Sequence, residues 1–175
     1  MSRGVVAGAA LVAGGLAFAV IWVTSASDLN FPWIVSLGVH GTSIVLVGAG
    51  LLLTASRVDR PPWGRRLIVF GAWATVGGLL TVLPLIPVGL GIFGAGLIIA
   101  RRSPAGGVAL AAGATILLAT YVLGARVGFE DAPPLSAGLR LAFQAGALLV
   151  LLGLSLLGTG DIRRARMSVR SASGA

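Results

Sequence analysis

Apolar residues fall into five long runs, separated by short segments that hold almost all of the charged residues. The runs extend over residues 4–23, 33–54, 67–100, 108–123 and 139–158. A helix needs roughly 20 apolar residues to cross a bilayer, and every run except the third is close to this length. The pattern therefore predicts an all-α membrane protein.

The third run is too long for one crossing. A helix over residues 67–100 would be about 50 Å long at the helical rise, whereas the hydrocarbon core is about 30 Å thick. Pro84 and Pro87 lie near its middle, and each removes a backbone donor from the helical ladder. We therefore expect two helices, over residues 67–83 and 85–100, joined by a tight turn. The chain then has six spans.

The placement of arginines favours six spans over five. Cytoplasmic loops carry the excess of basic residues in membrane proteins. With six spans and the N-terminus inside, eleven of the 13 arginines fall inside, and only Arg126 and Arg140 fall outside. A five-span arrangement would divide them almost evenly. We expect one domain over residues 1–160, a compact bundle of three hairpins that each run in, out and in, with both termini in the cytoplasm.

The two ends of the chain differ in composition, since the first is apolar and the last is basic. Residues 161–175 are polar and basic, which predicts a disordered cytoplasmic tail. Four arginines in it are candidates for contact with anionic lipid, namely Arg163, Arg164, Arg166 and Arg170. At the other end, a cleaved signal peptide is an alternative to a first span, but a run of about 20 residues exceeds the usual length of a signal core. We expect this helix to be retained.

Composition agrees with a membrane location. The chain is 57% hydrophobic and 10% charged, whereas soluble domains are nearer 45–50% and 25%. All basic residues are arginine, and they lie at the ends of apolar runs instead of forming one patch, so we expect no nucleic-acid partner. This arginine bias, with abundant Ala, Gly, Val and Leu, is typical of a GC-rich bacterial genome. We expect the bacterial plasma membrane, with the lipid bilayer as the first partner.

A small set of polar residues within the predicted spans is the candidate pocket. His40, the single histidine, lies on a polar stripe of the second span, and Gln144 lies at a similar outer depth on the sixth. Intramembrane polar groups are candidates for function, although they also serve as hydrogen-bonding links between helices. The pocket candidates, for a small-molecule ligand, are Ser36, His40, Ser43, Thr75, Thr115, Arg140 and Gln144.

Small residues recur at four-residue spacing, which lets helix backbones approach closely in lipid. The stripe of Ala9, Ala13 and Ala17 on the first span is a candidate face for the helix of a partner subunit. Packing within the bundle is the simpler interpretation of such spacing.

Several kinds of chemistry are disfavoured. No charged residue lies in the middle of a predicted span, which argues against an ion-coupled pump. One histidine and no cysteine leave no ligand set for haem or zinc. We therefore expect no cofactor, no metal and no catalytic activity.

Two functions are compatible with these features. The first is a non-catalytic accessory or interaction subunit of a larger membrane complex. The alternative is a small-solute transporter or membrane substrate-binding subunit with an outward-facing pocket around His40 and Gln144. In size, span count and small residues on the first helix, the chain resembles the membrane substrate-binding components of vitamin importers, which implies the second function.

Overall fold

The structure is a computed structural model that describes residues 2–25, 32–58, 61–80, 85–127 and 133–173. Six helices account for nearly all of these residues, and no strand occurs in these ranges. They are α1 (Arg3–Ser25), α2 (Trp33–Ala55), α3 (Pro62–Leu80), α4 (Leu85–Ile99), α5 (Pro104–Val127) and α6 (Pro133–Ser173). The expectation of an all-helical fold is confirmed.

The helices form a closed ring. Each helix packs against its neighbours in sequence, and α1 also packs against α6. The α2–α3 interface is the least extensive of the six. Large side chains from every helix fill the centre of the ring and are fully buried, among them Leu11, Leu51, Ile68, Phe93 and Leu154.

Glycines allow the helix backbones to approach closely. A Cβ atom added at Gly113 would lie 2.7 Å from the carbonyl oxygen of Gly146, and one added at Gly94 would lie 2.6 Å from that of Gly107. These distances are shorter than real Cβ contacts. The small residues at these positions of the described helices therefore serve intramolecular packing, which gains van der Waals contact where lipid supplies no hydrophobic drive.

Four helices contain stretches long and apolar enough to cross a membrane. These stretches are Arg3–Thr24, Gly38–Ala55, Pro104–Leu123 and Ala137–Val169, while Leu85–Ile99 is a shorter apolar helix. At the helical rise, the 19 residues of α3 extend about 28 Å and the 15 of α4 about 22 Å. The chain is thus compatible with an integral membrane protein.

The predicted break in the third apolar run is confirmed, because α3 ends at Leu80 and α4 begins at Leu85. Pro87 lies in the first turn of α4, where its missing N–H would have had no helical partner. Pro84 lies outside the described residues.

The other predicted boundaries were less accurate. Helix α3 begins five residues before the predicted Leu67, and α5 begins at Pro104 instead of Val108, since proline is favoured at the first position of a helix. The expectation of a disordered tail after residue 160 is wrong for the described part, because α6 continues to Ser173. Asp161 lies in this continuation, and its contacts hold the helix against the bundle.

Candidate functional site

The most polar site in the described part of the chain surrounds Asp161. Its side chain is fully buried. One carboxylate oxygen, Oδ1, accepts hydrogen bonds from Nη2 of Arg164 at 2.8 Å and from Nη2 of Arg102 at 3.2 Å. The other, Oδ2, accepts one from the hydroxyl of Thr54 at 3.1 Å and lies 3.9 Å from Nη1 of Arg57. We call these five residues the Asp161 cluster.

The end of α2 supplies two members of the cluster. Thr54 lies in the last turn of α2 and is fully buried. Arg57 follows in a turn after the helix, where its backbone N–H donates to the carbonyl of Thr54. The turn directs the Arg57 guanidinium across α1, past Gly4, where an added Cβ would lie 2.6 Å from Nη1 of Arg57. Glycine at position 4 therefore leaves the space that this arginine occupies.

The turn between α4 and α5 supplies Arg102. The backbone N–H of Arg102 donates to the carbonyl of Leu97, and that of Arg101 donates to Ile98. This pair of bonds is a Schellman motif, in which the residue at the position of Arg101 takes a left-handed conformation. Arg101 has a φ of 50°, where glycine is usual because a Cβ is strained there. The motif satisfies the last carbonyls of α4 and directs Arg102 towards Asp161.

Backbone carbonyls link the arginines to one another. Nη1 of Arg102 donates to the carbonyl of Arg57 at 3.0 Å, and Nη1 of Arg164 donates to the carbonyl of Arg102 at 2.9 Å. The cluster thereby connects the end of α2, the α4–α5 turn and α6. Helices α2 and α6 do not pack on each other, because α1 lies between them in the ring.

The cluster carries more positive than negative charge. Three guanidinium groups surround one carboxylate, and two buried nitrogen atoms, Nη1 of Arg57 and Nε of Arg102, have no hydrogen-bond partner. The pKa of Arg102 is lowered from its ordinary value because the guanidinium is buried, and the nearby Asp161 carboxylate partly opposes this shift. Arginine remains protonated in proteins under ordinary conditions, so the cluster keeps its excess positive charge.

The other described arginines lie mainly at the same end of the bundle. Gly64, beside Arg65 and Arg66, packs against Ala100, beside Arg101. Gly4, beside Arg3, lies close to Ala165, beside Arg164. We call this the Asp161 end; Arg140 belongs to the first turns of α6, at the opposite end.

The structure distributes the predicted pocket residues over several interfaces. The hydroxyl of Ser43 is buried and lies 3.5 Å from the carbonyl of Gly14, and the Gln144 amide donates to the carbonyl of Val23 at 3.4 Å. Both side chains therefore link their helices to α1. Near Gln144, Trp22 is stacked between Phe18 and Phe143, with ring centroids 5.0 Å apart in each pair.

The remaining pocket candidates do not join this group. Thr75 is buried where α3 meets α4 and donates to the carbonyl of Gly71. Thr115 and Arg140 are exposed, and the Thr115 hydroxyl donates to Ala111 in its own preceding turn. His40 is half-buried. The side chain of Ser36 lies outside the described residues.

The predicted partner face lies on the outside of the ring. Ala9 and Ala13 are exposed and Ala17 is half-buried, whereas the nearby Gly8 and Gly14 are buried against α6 and α2. Two faces of α1 are thus occupied by the bundle, and a third is open.

The arginines predicted to contact lipid differ in their environment. Arg164 is bound to Asp161 within the cluster. Arg163 and Arg166 line a groove of about 360 Å³ with Thr159, Ile162 and Met167. The side chain of Arg170 lies outside the described residues.

Sequence reasoning did not identify the Asp161 cluster. Asp161 was assigned to the tail because it follows the last apolar run, and three of its four partners, Thr54, Arg57 and Arg102, are distant in sequence. A signal was present in the sequence: a single acidic residue directly after an apolar run, three positions before an arginine on the same helix face.

Comparison with protein-family models, with curated proteins and with solved structures found no match.

Proposed function

We propose that this chain crosses the membrane six times and acts without catalysis as an accessory subunit of a larger membrane complex, with a helix of the partner packed against the Ala9–Ala13–Ala17 face of α1. The observation that carries the proposal is the placement of small residues on α1, where Gly8 and Gly14 are buried and Ala9 and Ala13 are exposed.

The glycines of α1 are already used by the bundle. Gly8 packs against the backbone of Gly158 on α6, and Gly14 packs against Val47 on α2. Among the alanines at four-residue spacing, Ala9 and Ala13 are exposed and Ala17 is half-buried. Such a flat strip permits close approach of another helix backbone, and it is the type of surface by which helices associate in lipid.

The remaining surface of the ring provides a comparison. Helix α5 also exposes alanines, but Ala105, Ala112 and Ala119 recur every seven residues. Four-residue spacing is the pattern of close right-handed helix pairs, so we assign the partner to α1. The α5 strip serves as a matched control, because the same residue type is exposed there.

The Asp161 cluster supports this function indirectly. It ties the end of α2, the α4–α5 turn and α6 together by side chains, which gives the bundle a fixed shape on which α1 is held. The excess of arginine at this end supports its placement in the cytoplasm, where loops are basic and the leaflet is anionic. The antiparallel packing of α3 on α4, with Gly64 against Ala100, supports separate crossings for these two helices.

The test uses site-directed crosslinking in native membranes. The chain has no cysteine, so single variants Ala13→Cys and Ala112→Cys each present one thiol to a short bifunctional crosslinker. We expect Ala13→Cys to form an adduct of one defined mass with a different membrane protein, and Ala112→Cys to form none.

Three outcomes contradict the proposal. An adduct at Ala112→Cys alone would place the partner on α5. An adduct with the mass of two copies would make α1 a homodimer face. If no adduct forms and the chain purifies in mild detergent without a second protein, it is not an accessory subunit.

A further inference from the structure

A groove on the outward side of α3, at the Asp161 end, combines arginines with aromatic side chains. It has a volume of about 580 Å³. Its lining residues are Pro62, Arg65, Arg66, Val69, Phe70 and Trp73. They follow helical spacing and all belong to one face of α3, from its first turn to its middle.

The end of the groove nearest the start of α3 is positively charged. Arg65 and Arg66 lie in the first turns of the helix, where unpaired backbone N–H groups and the helix dipole already favour an anion. A positive side chain is unfavourable at the positive end of the helix dipole unless a negative group lies beside it. The guanidinium of Arg66 lies over the ring of Trp63, 5.0 Å from its centroid, which holds it at the edge of the groove.

These two arginines differ from those of the Asp161 cluster. Arg57, Arg102 and Arg164 direct their guanidinium groups at the one acidic residue in the described ranges. Arg65 and Arg66 are exposed and make no ion pair with it. Within the described residues, their charge is therefore not neutralised by an acidic side chain.

The other end of the groove is apolar and aromatic. Phe70 and Trp73 are 62% and 60% exposed, although both belong to a helix that packs tightly against α4. Trp73 lies seven residues beyond Arg66, or about 10 Å along the helix axis. This separation matches a ligand with an anionic head at the interface and an apolar chain that continues into the hydrocarbon.

We propose that this groove is a binding site for one anionic phospholipid, with its phosphate bound by Arg65 and Arg66 and an acyl chain packed along Val69, Phe70 and Trp73. The site differs from the basic C-terminal part of α6. There the groove beside Arg163 and Arg166 is lined by Thr159, Ile162 and Met167 and has no aromatic wall.

Quenching of Trp73 fluorescence tests the proposal directly. A variant with Trp22, Trp33 and Trp63 replaced by phenylalanine keeps Trp73 as its single tryptophan and keeps an aromatic ring at position 63, beneath Arg66. It is reconstituted into phosphatidylcholine vesicles that contain equal amounts of brominated phosphatidylglycerol or brominated phosphatidylcholine. We expect stronger quenching by the brominated phosphatidylglycerol, because the anionic lipid occupies the groove more often.

Matched charge variants locate the site. Arg65→Gln with Arg66→Gln removes two charges at the groove, and Arg163→Gln with Arg166→Gln removes two at the same end of the bundle. We expect the first pair to abolish the difference between the two lipids and the second pair to preserve it. Native mass spectrometry of the chain with all four tryptophans gives an independent readout, in which the first pair loses bound phosphatidylglycerol and the second retains it.

Each opposite result overturns the proposal. Equal quenching by the two lipids in the parent protein, with no phosphatidylglycerol retained in the mass spectrum, excludes a specific site. A preference lost in the Arg163→Gln, Arg166→Gln variant instead assigns the lipid to α6. If an acidic protein partner is bound and is released by the Arg65→Gln, Arg66→Gln change, while neither lipid is preferred, the groove belongs to that partner.

Discussion

Nη2 of Arg102 lies 3.2 Å from Oδ1 of Asp161, so the turn between α4 and α5 is bound to a residue of α6 that lies 59 positions later. Arg102 also donates to the carbonyl of Arg57, after α2. Helices on opposite sides of the ring are thereby joined at one end, independently of their apolar packing.

Replacing Asp161 by asparagine is expected to destabilise the fold by about 1–3 kcal/mol, because the guanidinium groups lose a buried charged acceptor. The cost is lower than for a fully buried pair, since the side chains of Arg57, Arg102 and Arg164 remain 32%, 17% and 41% exposed. The free energy of unfolding, measured by denaturant titration in detergent micelles, checks this. The control is Arg163→Gln, which changes one charge at an exposed position of α6 and is expected to leave the free energy of unfolding nearly unchanged.

A double-mutant cycle separates the cluster from general effects of charge. If Arg102 and Asp161 interact as the structure shows, Asp161→Asn together with Arg102→Gln costs less than the sum of the two single changes. Simple additivity of the two costs would contradict a direct interaction between these side chains.

Replacing Arg101 by glycine is expected to stabilise the protein. Arg101 has a φ of 50° at the end of α4, and this conformation costs an L-residue with a Cβ roughly 1–2 kcal/mol. Glycine adopts it without strain, and the neighbouring Arg102 would keep its place. An increase of about 1 kcal/mol in the free energy of unfolding would support this account, and a decrease would show that the Arg101 side chain makes a stabilising contact.

The sequence predicted the helices better than it predicted their ends. Five hydrophobic runs, with the third divided at its two prolines, predicted all six helices. Both signals are local in sequence. Helix α6 continues for 15 residues beyond the last apolar run, which ends at residue 158, since the contacts of Asp161 stabilise a polar segment. Those contacts depend on how α2, the α4–α5 turn and α6 converge, which no local pattern encodes.

The same distinction applies to the candidate sites. The alanine stripe was recognised from its spacing, but only the structure separates Ala9 and Ala13, which are exposed, from the buried Gly8. Gln144 was grouped with His40 by depth, and Ser43 was grouped with His40 by their shared stripe on the second span. Depth does not determine which neighbour a side chain contacts, and both Ser43 and Gln144 reach α1.

Replacing Gly8 by alanine is expected to destabilise the bundle. The added Cβ would meet the carbonyl oxygen of Gly158, which is backbone and cannot rotate away. Overpacking of this kind costs about 1–3 kcal/mol. At Gly41 no other part of the described chain lies within 4 Å of an added Cβ, apart from the adjacent backbone of α2. Gly41→Ala is therefore expected to be neutral or to stabilise α2, since alanine is the better helix former. Equal effects of the two changes on the free energy of unfolding would contradict tight packing between α1 and α6.

Six crossings make a specific prediction for Leu80, the exposed last described residue of α3. Because α3 and α4 pack antiparallel, they either both cross the membrane or form a hairpin that enters and leaves on the cytoplasmic side. Leu80 is accessible from outside in the first arrangement and inaccessible in the second. Gly138, in the early part of α6, is external in both arrangements, and Ser56, directly after α2, is cytoplasmic in both.

A membrane-impermeant maleimide distinguishes these arrangements, because the chain has no cysteine of its own. In intact cells we expect Leu80→Cys and Gly138→Cys to be labelled, and Ser56→Cys to be labelled only after the membrane is permeabilised. The reason is electrostatic: the arginines at the Asp161 end remain on the cytoplasmic side, so the opposite end of α3 faces outward if the helix crosses. Protection of Leu80→Cys in intact cells, with Gly138→Cys labelled, would show that α3 and α4 do not cross separately.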